Sequence, residues 1–119
     1  MNILIIEDDV VTLKTLQSSI ENLQHKVYIS ESCEEAIKII ENTKLDLIIS
    51  DIMMPGISGL SLVSVLRTVT LCYTPIIIMS ALHTKPLLDA AFVAGANDFI
   101  AKPFTMEELK DKIGKYDKK

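Results

Sequence analysis

The feature that most constrains this chain is a set of short apolar runs, rich in Ile and Val, that recur between amphipathic segments: Asn2 to Ile6, Lys26 to Ser30, Leu45 to Ser50, Pro75 to Met79 and Asn97 to Ala101. Runs of this length read as strands, and strands apolar throughout rather than alternating need cover on both faces. The segments between them step by three or four residues, as helices do. Val10, Leu13, Leu16, Ile20 and Leu23 mark the first; Cys33, Ala36, Ile37 and Ile40 the second; Leu62, Leu66 and Val69 the third; Met106, Leu109 and Ile113 the last. Ser32 with Glu35 and Thr105 with Glu108 fit capping boxes, Asp9 caps the first helix, and Pro86 suits the first turn of a fourth helix over Pro86 to Ala94. The expectation is an α/β fold of five βα units: a flavodoxin-like, doubly wound, five-stranded parallel sheet of order 2-1-3-4-5 with helices on both faces.

With 119 residues the chain reads as one domain over 1–119, with no second domain in it. Roughly 65% of its unfolded surface can be buried at this size, so no disulfide staple is needed. Cys33 and Cys72 lack C-x-x-C spacing and read as free thiols. His25 and His83 lie far apart and read as loop residues. The start MNILIIEDD lacks a basic signal-peptide region, and no apolar run approaches the ~20 residues of a membrane span. A net charge of −4 with a single arginine, Arg67, argues against direct nucleic-acid binding. A cytoplasmic domain with no membrane contact is expected.

In such a sheet, ligands bind beyond the carboxyl ends of the strands, at the switch between the first and third. The polar residues there are Glu7, Asp8 and Asp9 after strand 1, Asp51 after strand 3, Ser80 after strand 4, and Lys102 with Pro103 after strand 5. Two like charges ~4 Å apart repel by about 4 kcal/mol at an effective dielectric of ~20, so the carboxylates call for a cation. An all-oxygen donor set favours a hard ion such as Mg²⁺, with Mn²⁺ also accommodated, and phosphate oxygens commonly complete its shell. Ser80 and Lys102 are suited to hold a tetrahedral anion. Gly56, Gly59 and Gly95 read as positions needing backbone freedom.

IIEDD at 5–9, DIMMPGISG at 51–59, MSA at 79–81 and AGANDFIAKPF at 94–104, in this order and spacing, resemble the receiver domain of bacterial two-component response regulators along the whole chain. The resemblance implies Asp51 as phosphoacceptor, with Ser80 and Lys102 assisting. It implies Glu7, Asp8, Asp51 and the Met53 backbone carbonyl as Mg²⁺ ligands, Ser80 and Phe99 as the switch pair, and Pro103 as a cis-proline. A sensor histidine kinase or phosphotransfer protein would donate the phosphoryl group. The helix 4, strand 5 and helix 5 surface would then engage a downstream effector or a second copy. Such a domain is a phosphoacceptor that catalyses its own phosphorylation and slow dephosphorylation, and is not otherwise an enzyme.

The alternative is a pseudo-receiver serving as a phosphorylation-independent interaction module, which would be expected to lack one of these groups. A flavodoxin-type FMN site conflicts with the acidic loop after strand 1, and a haloacid-dehalogenase phosphatase needs an aspartate where Met53 stands. The chain departs from the family's commoner pattern in having Ser80 for threonine and Phe99 for tyrosine. Leu88 and Val93 replace the charged dimer-interface residues of winged-helix regulators, and Asp89 is the only charged residue on the predicted helix 4. Leu87, Leu88 and Phe92 are therefore expected to dock hydrophobically. Met53 and Leu82, beside the expected path of the hydrolytic water, imply a long-lived aspartyl phosphate.

Overall fold

A computed structural model describes residues 1–53 and 58–117. The strands are β1 (Asn2–Ile6), β2 (Lys26–Ser30), β3 (Leu47–Asp51), β4 (Ile76–Ser80) and β5 (Asp98–Ala101). Alternating with them are α1 (Val10–Glu21), α2 (Cys33–Asn42), α3 (Gly59–Thr68), α4 (Lys85–Ala94) and α5 (Met106–Gly114). The sheet order is β2-β1-β3-β4-β5, parallel at every pairing, as the apolar runs require.

Side chains alternate across each strand and so feed two cores. Leu4, Ile6, Ile48, Ile76 and Ile78 pack beneath α2, α3 and α4, with Ala36, Leu62, Leu66 and Ala91. Ile3, Ile5, Leu47, Ile49, Ile77 and Met79 pack beneath α1 and α5, with Leu13, Leu16, Ile20, Leu109 and Ile113. Every residue of β3 and β4 is buried, which explains their unbroken hydrophobicity.

Several boundaries move. Strand 3 starts at Leu47 rather than Leu45, and its ladder continues to Asp51, paired with Met79. Strand 4 begins after Pro75, which has no N–H to give the ladder but still accepts from the Ile48 N–H at 2.9 Å, and it runs on to Ser80. Strand 5 begins at Asp98 rather than Asn97. Helix α1 ends before Leu23, and Val69 lies exposed beyond α3, so neither extends its stripe. Helix α4 starts one residue earlier than expected, bringing Lys85 into an i,i+4 pair with Asp89 at 2.9 Å; Asp89 is not its sole charge.

The caps divide similarly. Thr105 and Glu108 form both halves of a capping box, whereas the Ser32 side chain accepts from the Glu35 N–H and shows that half alone. Asp9 stands at the α1 N-cap but makes no side-chain bond to the helix backbone. Its carboxylate instead accepts from the Thr12 hydroxyl at 2.6 Å.

Candidate functional site

The sheet order places the ends of β1, β3, β4 and β5 along one edge. Glu7, directly after β1, is 1% exposed, and its N–H donates to the Ser30 carbonyl at 3.0 Å. Asp51 closes β3 and is 6% exposed. Asp8 is exposed. One carboxylate oxygen from each of the three lies within 4.8 Å of the others. From beyond β5, Lys102 Nζ donates to Glu7 Oε1 at 2.6 Å and to Asp51 Oδ2 at 3.1 Å. The other Asp51 oxygen accepts from the Met53 N–H at 3.2 Å.

Ser80 ends β4 fully buried, and its hydroxyl accepts from the Leu82 N–H at 3.0 Å. Its carbonyl takes the Lys102 N–H at 2.9 Å, and the Lys102–Pro103 peptide is cis. Phe99 is half-buried against the core beneath α4, one residue after Asp98. Asp9 stands at the N-cap position of α1 without a capping bond, and the carboxylate cluster is formed by Glu7, Asp8 and Asp51. The edge therefore brings together Glu7, Asp8, Asp51 and Lys102, with Ser80 on the neighbouring strand. Of the turn after Met53, Pro55 and Gly56 lie outside the described residues.

Sequence reading missed what Gly59 does. Its backbone has no left-handed conformation; a Cβ there would stand 2.5 Å from the Asp51 carbonyl oxygen and 2.7 Å from Ile52 Cα. The first turn of α3 thus lies against the main chain that carries Asp51. Because both clashing atoms are backbone, Gly59→Ala should destabilise the fold by about 2–3 kcal/mol in urea unfolding. A change below about 0.5 kcal/mol would contradict the close packing. Gly95, by contrast, does need its freedom, at φ +122°.

Three carboxylates against one ammonium leave this edge, when all are ionised, with two net negative charges, which one divalent cation would offset. The donors are all oxygen and within one ion's reach, so the residues fit Mg²⁺. Burial pushes the Glu7 carboxyl up from its ordinary 4.5, with the neighbouring Asp51 adding to the shift and Lys102 only partly opposing it. Burial works against the Lys102 ammonium, but the bonds to Glu7 and Asp51 hold its pKa above 10.5.

The linkage has a definite sign. A carboxyl whose pKa rises on folding favours the fold below its unfolded value and loses that contribution as pH climbs through the folded one. In cation-free protein, at a pH above its raised pKa, the ionised Glu7 is therefore a cost. Glu7→Gln should raise the thermal midpoint there, by a margin that shrinks toward pH 4.5, and should abolish the upward shift that Mg²⁺ gives the wild type. Parallel melts across pH, with and without Mg²⁺, check both.

Parallel strands in this order, with an acidic, lysine-bridged cluster at the β1/β3 switch, define a doubly wound domain of the receiver type. Comparison with known proteins agrees. Residues 3–114 match the response regulator receiver domain family, and the chain belongs to it. It is 34% identical to the uncharacterized transcriptional regulatory protein YkoG of Bacillus subtilis over 94% of this chain and 49% of that one. It is 28% identical to the transcriptional regulatory protein CrdR of Helicobacter pylori over 96% of this chain and 54% of that one. The chain thus spans about half the length of these curated relatives.

Among solved structures, a two-component response regulator from Clostridium difficile aligns with TM-score 0.90 and 30% identity, covering 98% of this chain and 94% of that one. The response regulator TrrA of Thermotoga maritima, in complex with Mg(2+)-BeF, aligns with TM-score 0.85 and 30% identity over 97% of each. The chain is thus a response regulator receiver domain, and its acidic cluster is compatible with Mg²⁺. Among the described residues, no helix is long and apolar enough to cross a membrane.

Proposed function

We propose that Asp51 is the phosphoacceptor, taking a phosphoryl group from the phosphohistidine of a sensor histidine kinase or a phosphotransfer protein in the cytoplasm. The observation that carries this is the placement of Asp51: a buried carboxylate at a strand end, bonded to Lys102 at 3.1 Å and within one ion's reach of Glu7 and Asp8. An Asp51 oxygen attacks phosphorus in line, the P–N bond breaks, and the imidazole nitrogen leaves with the bonding pair. Lys102 Nζ neutralises the phosphoryl oxygens, while the Met53 N–H orients the carboxylate by holding the oxygen that does not attack. Glu7, Asp8, Asp51 and the Met53 carbonyl would hold Mg²⁺, or Mn²⁺, whose charge supplies further stabilisation of the transferring group.

Once Asp51 carries the new dianion, the Ser80 hydroxyl turns to it and gives up the Leu82 N–H. The loop toward α4 shifts, and Phe99 settles into the space behind it. The exposed Met53 and Leu82 side chains flank this edge and shield the acyl phosphate from water, so the group hydrolyses slowly.

Incubation with Mg²⁺ and a small phosphodonor should add one phosphoryl group to the intact mass of the wild type, and chelation of the metal should prevent it. Absence of any gain would favour a pseudo-receiver acting as an interaction module.

The output surface of α4, β5 and α5 would meet a downstream effector or a second copy through apolar contact. Leu87 packs partly against the core and Leu88 is half-buried, so each offers only part of its side chain. Phe92 and Val93, the latter 88% exposed, are the side chains open to a partner. Val93→Glu should weaken phosphorylation-dependent binding or self-association about tenfold or more, while leaving phosphoryl gain unchanged. Equal binding by both proteins would mean that this face does not carry the contact.

A further inference from the structure

The single arginine has no part in the site, yet among the described residues its side chain makes five hydrogen bonds, which use every N–H donor it has. Arg67 lies in the last turn of α3. Its Nε and Nη2 both donate to the Gly95 carbonyl, at 3.1 and 3.0 Å, and Nη2 also reaches Asn97 Oδ1 at 2.8 Å. Nη1 donates to the carbonyls of Cys72 and Thr74, at 2.8 and 2.9 Å. All five N–H donors of the guanidinium are thereby used, and all on neutral oxygens. Asn97 passes the tie onward, because the same Oδ1 accepts from the N–H of Ile76, the first residue of β4.

The Gly95 end of this clamp is the C-terminal end of α4, where a positive charge meets the negative end of the helix dipole. The Gly95 N–H returns to the Ala91 and Phe92 carbonyls and the Ala96 N–H to Ala91, so the last turn is closed. Gly95 is required twice over. Besides its φ of +122°, a Cβ there would stand 2.6 Å from Arg67 Cγ.

The other end of α4 is built differently. Thr84 makes no side-chain capping bond, Lys85 and Pro86 are exposed, Leu87 packs against the core only partly buried, and the one buried residue of the helix, Ala91, lies in its second half. Five residues before the helix starts is Ser80, whose hydroxyl takes the Leu82 N–H.

We propose that Arg67 is a positioning residue that fixes the C-terminal end of α4 as a pivot, so that the helix moves by swinging its N-terminal turn. A guanidinium fork suits the role because it spans several backbone oxygens at once, which a lysine ammonium cannot. The consequence for signalling, that a turn of the Ser80 hydroxyl is converted into a tilt of α4, rests on the phosphoacceptor reading above. The pivot itself does not, and its test needs no phosphoryl group.

Amide exchange in the unmodified protein reads it directly. In the wild type the Leu88 amide, bonded to the Thr84 carbonyl in the first turn, should exchange about tenfold or more faster than those of Gly95 and Ala96. In Arg67→Met the Gly95 and Ala96 amides should speed up by about tenfold or more, toward the Leu88 rate, while β1 and β3 amides keep their protection. Arg67→Lys, which keeps the charge without the fork and preserves folding if the methionine variant does not, should fall between the two. Equal wild-type protection along α4, unchanged Gly95 and Ala96 amides in either variant, or acceleration spread evenly through β1 and β3 would each overturn the pivot.

Discussion

Replacing Asp51 with asparagine should abolish phosphoryl gain, with transfer from a small phosphodonor falling by about 10³-fold or more. The amide is nearly isosteric but has no anionic oxygen to attack phosphorus. It also weakens the cation site by removing one of three carboxylates that share a 4.8 Å neighbourhood. The fold should not suffer. Asp51 sits beside buried Glu7, so its loss relieves repulsion, and the cation-free thermal midpoint should stay level or rise. Full loss of phosphoryl gain with retained stability is therefore the expected pair of results, read by intact mass and by thermal melt. An asparagine variant that still gains the group at wild-type rate would move the acceptor elsewhere.

Lys102→Met should produce the opposite division, costing both chemistry and stability. For chemistry, the ammonium is the protein's own positive charge at the transferring group, and losing one such donor lowers transfer by about 10²–10³-fold. For stability, Glu7 and Asp51 would lose the cation they share at 2.6 and 3.1 Å. Breaking a fully buried pair costs about 3–5 kcal/mol, but the Lys102 side chain is 25% exposed, so about 2 kcal/mol at neutral pH is expected. The loss should shrink in acid, as Glu7, already pushed above 4.5, takes up a proton, and it should shrink on adding Mg²⁺. A deficit equal at every pH and indifferent to Mg²⁺ would mean that Lys102 contributes packing alone. Urea titrations at several pH values separate the two cases.

These consequences differ in how far the amino-acid order announces them. Strands β1, β3 and β4 are buried on both faces, so hydropathy marks them directly, and the carboxyl-end rule then collects Glu7, Asp8, Asp51, Ser80 and Lys102 on one edge before any coordinate is known. Strand ends are less legible because pairing decides them. Asp51 is polar yet extends the ladder opposite Met79, while apolar Leu45 stays outside it.

The roles of Gly59 and Arg67 could not be read in the same way. Gly59 resembles any turn glycine until α3 is seen against the Asp51 backbone, and the Arg67 bonds to Gly95 and Asn97 join residues 28 and 30 positions apart. A lone arginine among many lysines was the available signal, since a planar fork is the feature lysine cannot replace. For α4, whose charges Lys85 and Asp89 both lie in its first half, the sequence could not tell Leu87, packed partly against the core, from Val93, which faces solvent.

Chemical trapping identifies the side chain that receives the phosphoryl group, expected to be Asp51. An aspartyl phosphate is an acyl phosphate and is reduced by borohydride to homoserine, whereas free carboxylates are untouched. Peptide sequencing by mass spectrometry after Mg²⁺, phosphodonor and borohydride should find homoserine in place of Asp51 and nowhere else. Homoserine at Asp8 or Asp9 instead, or intact aspartate at every position, would contradict the assignment.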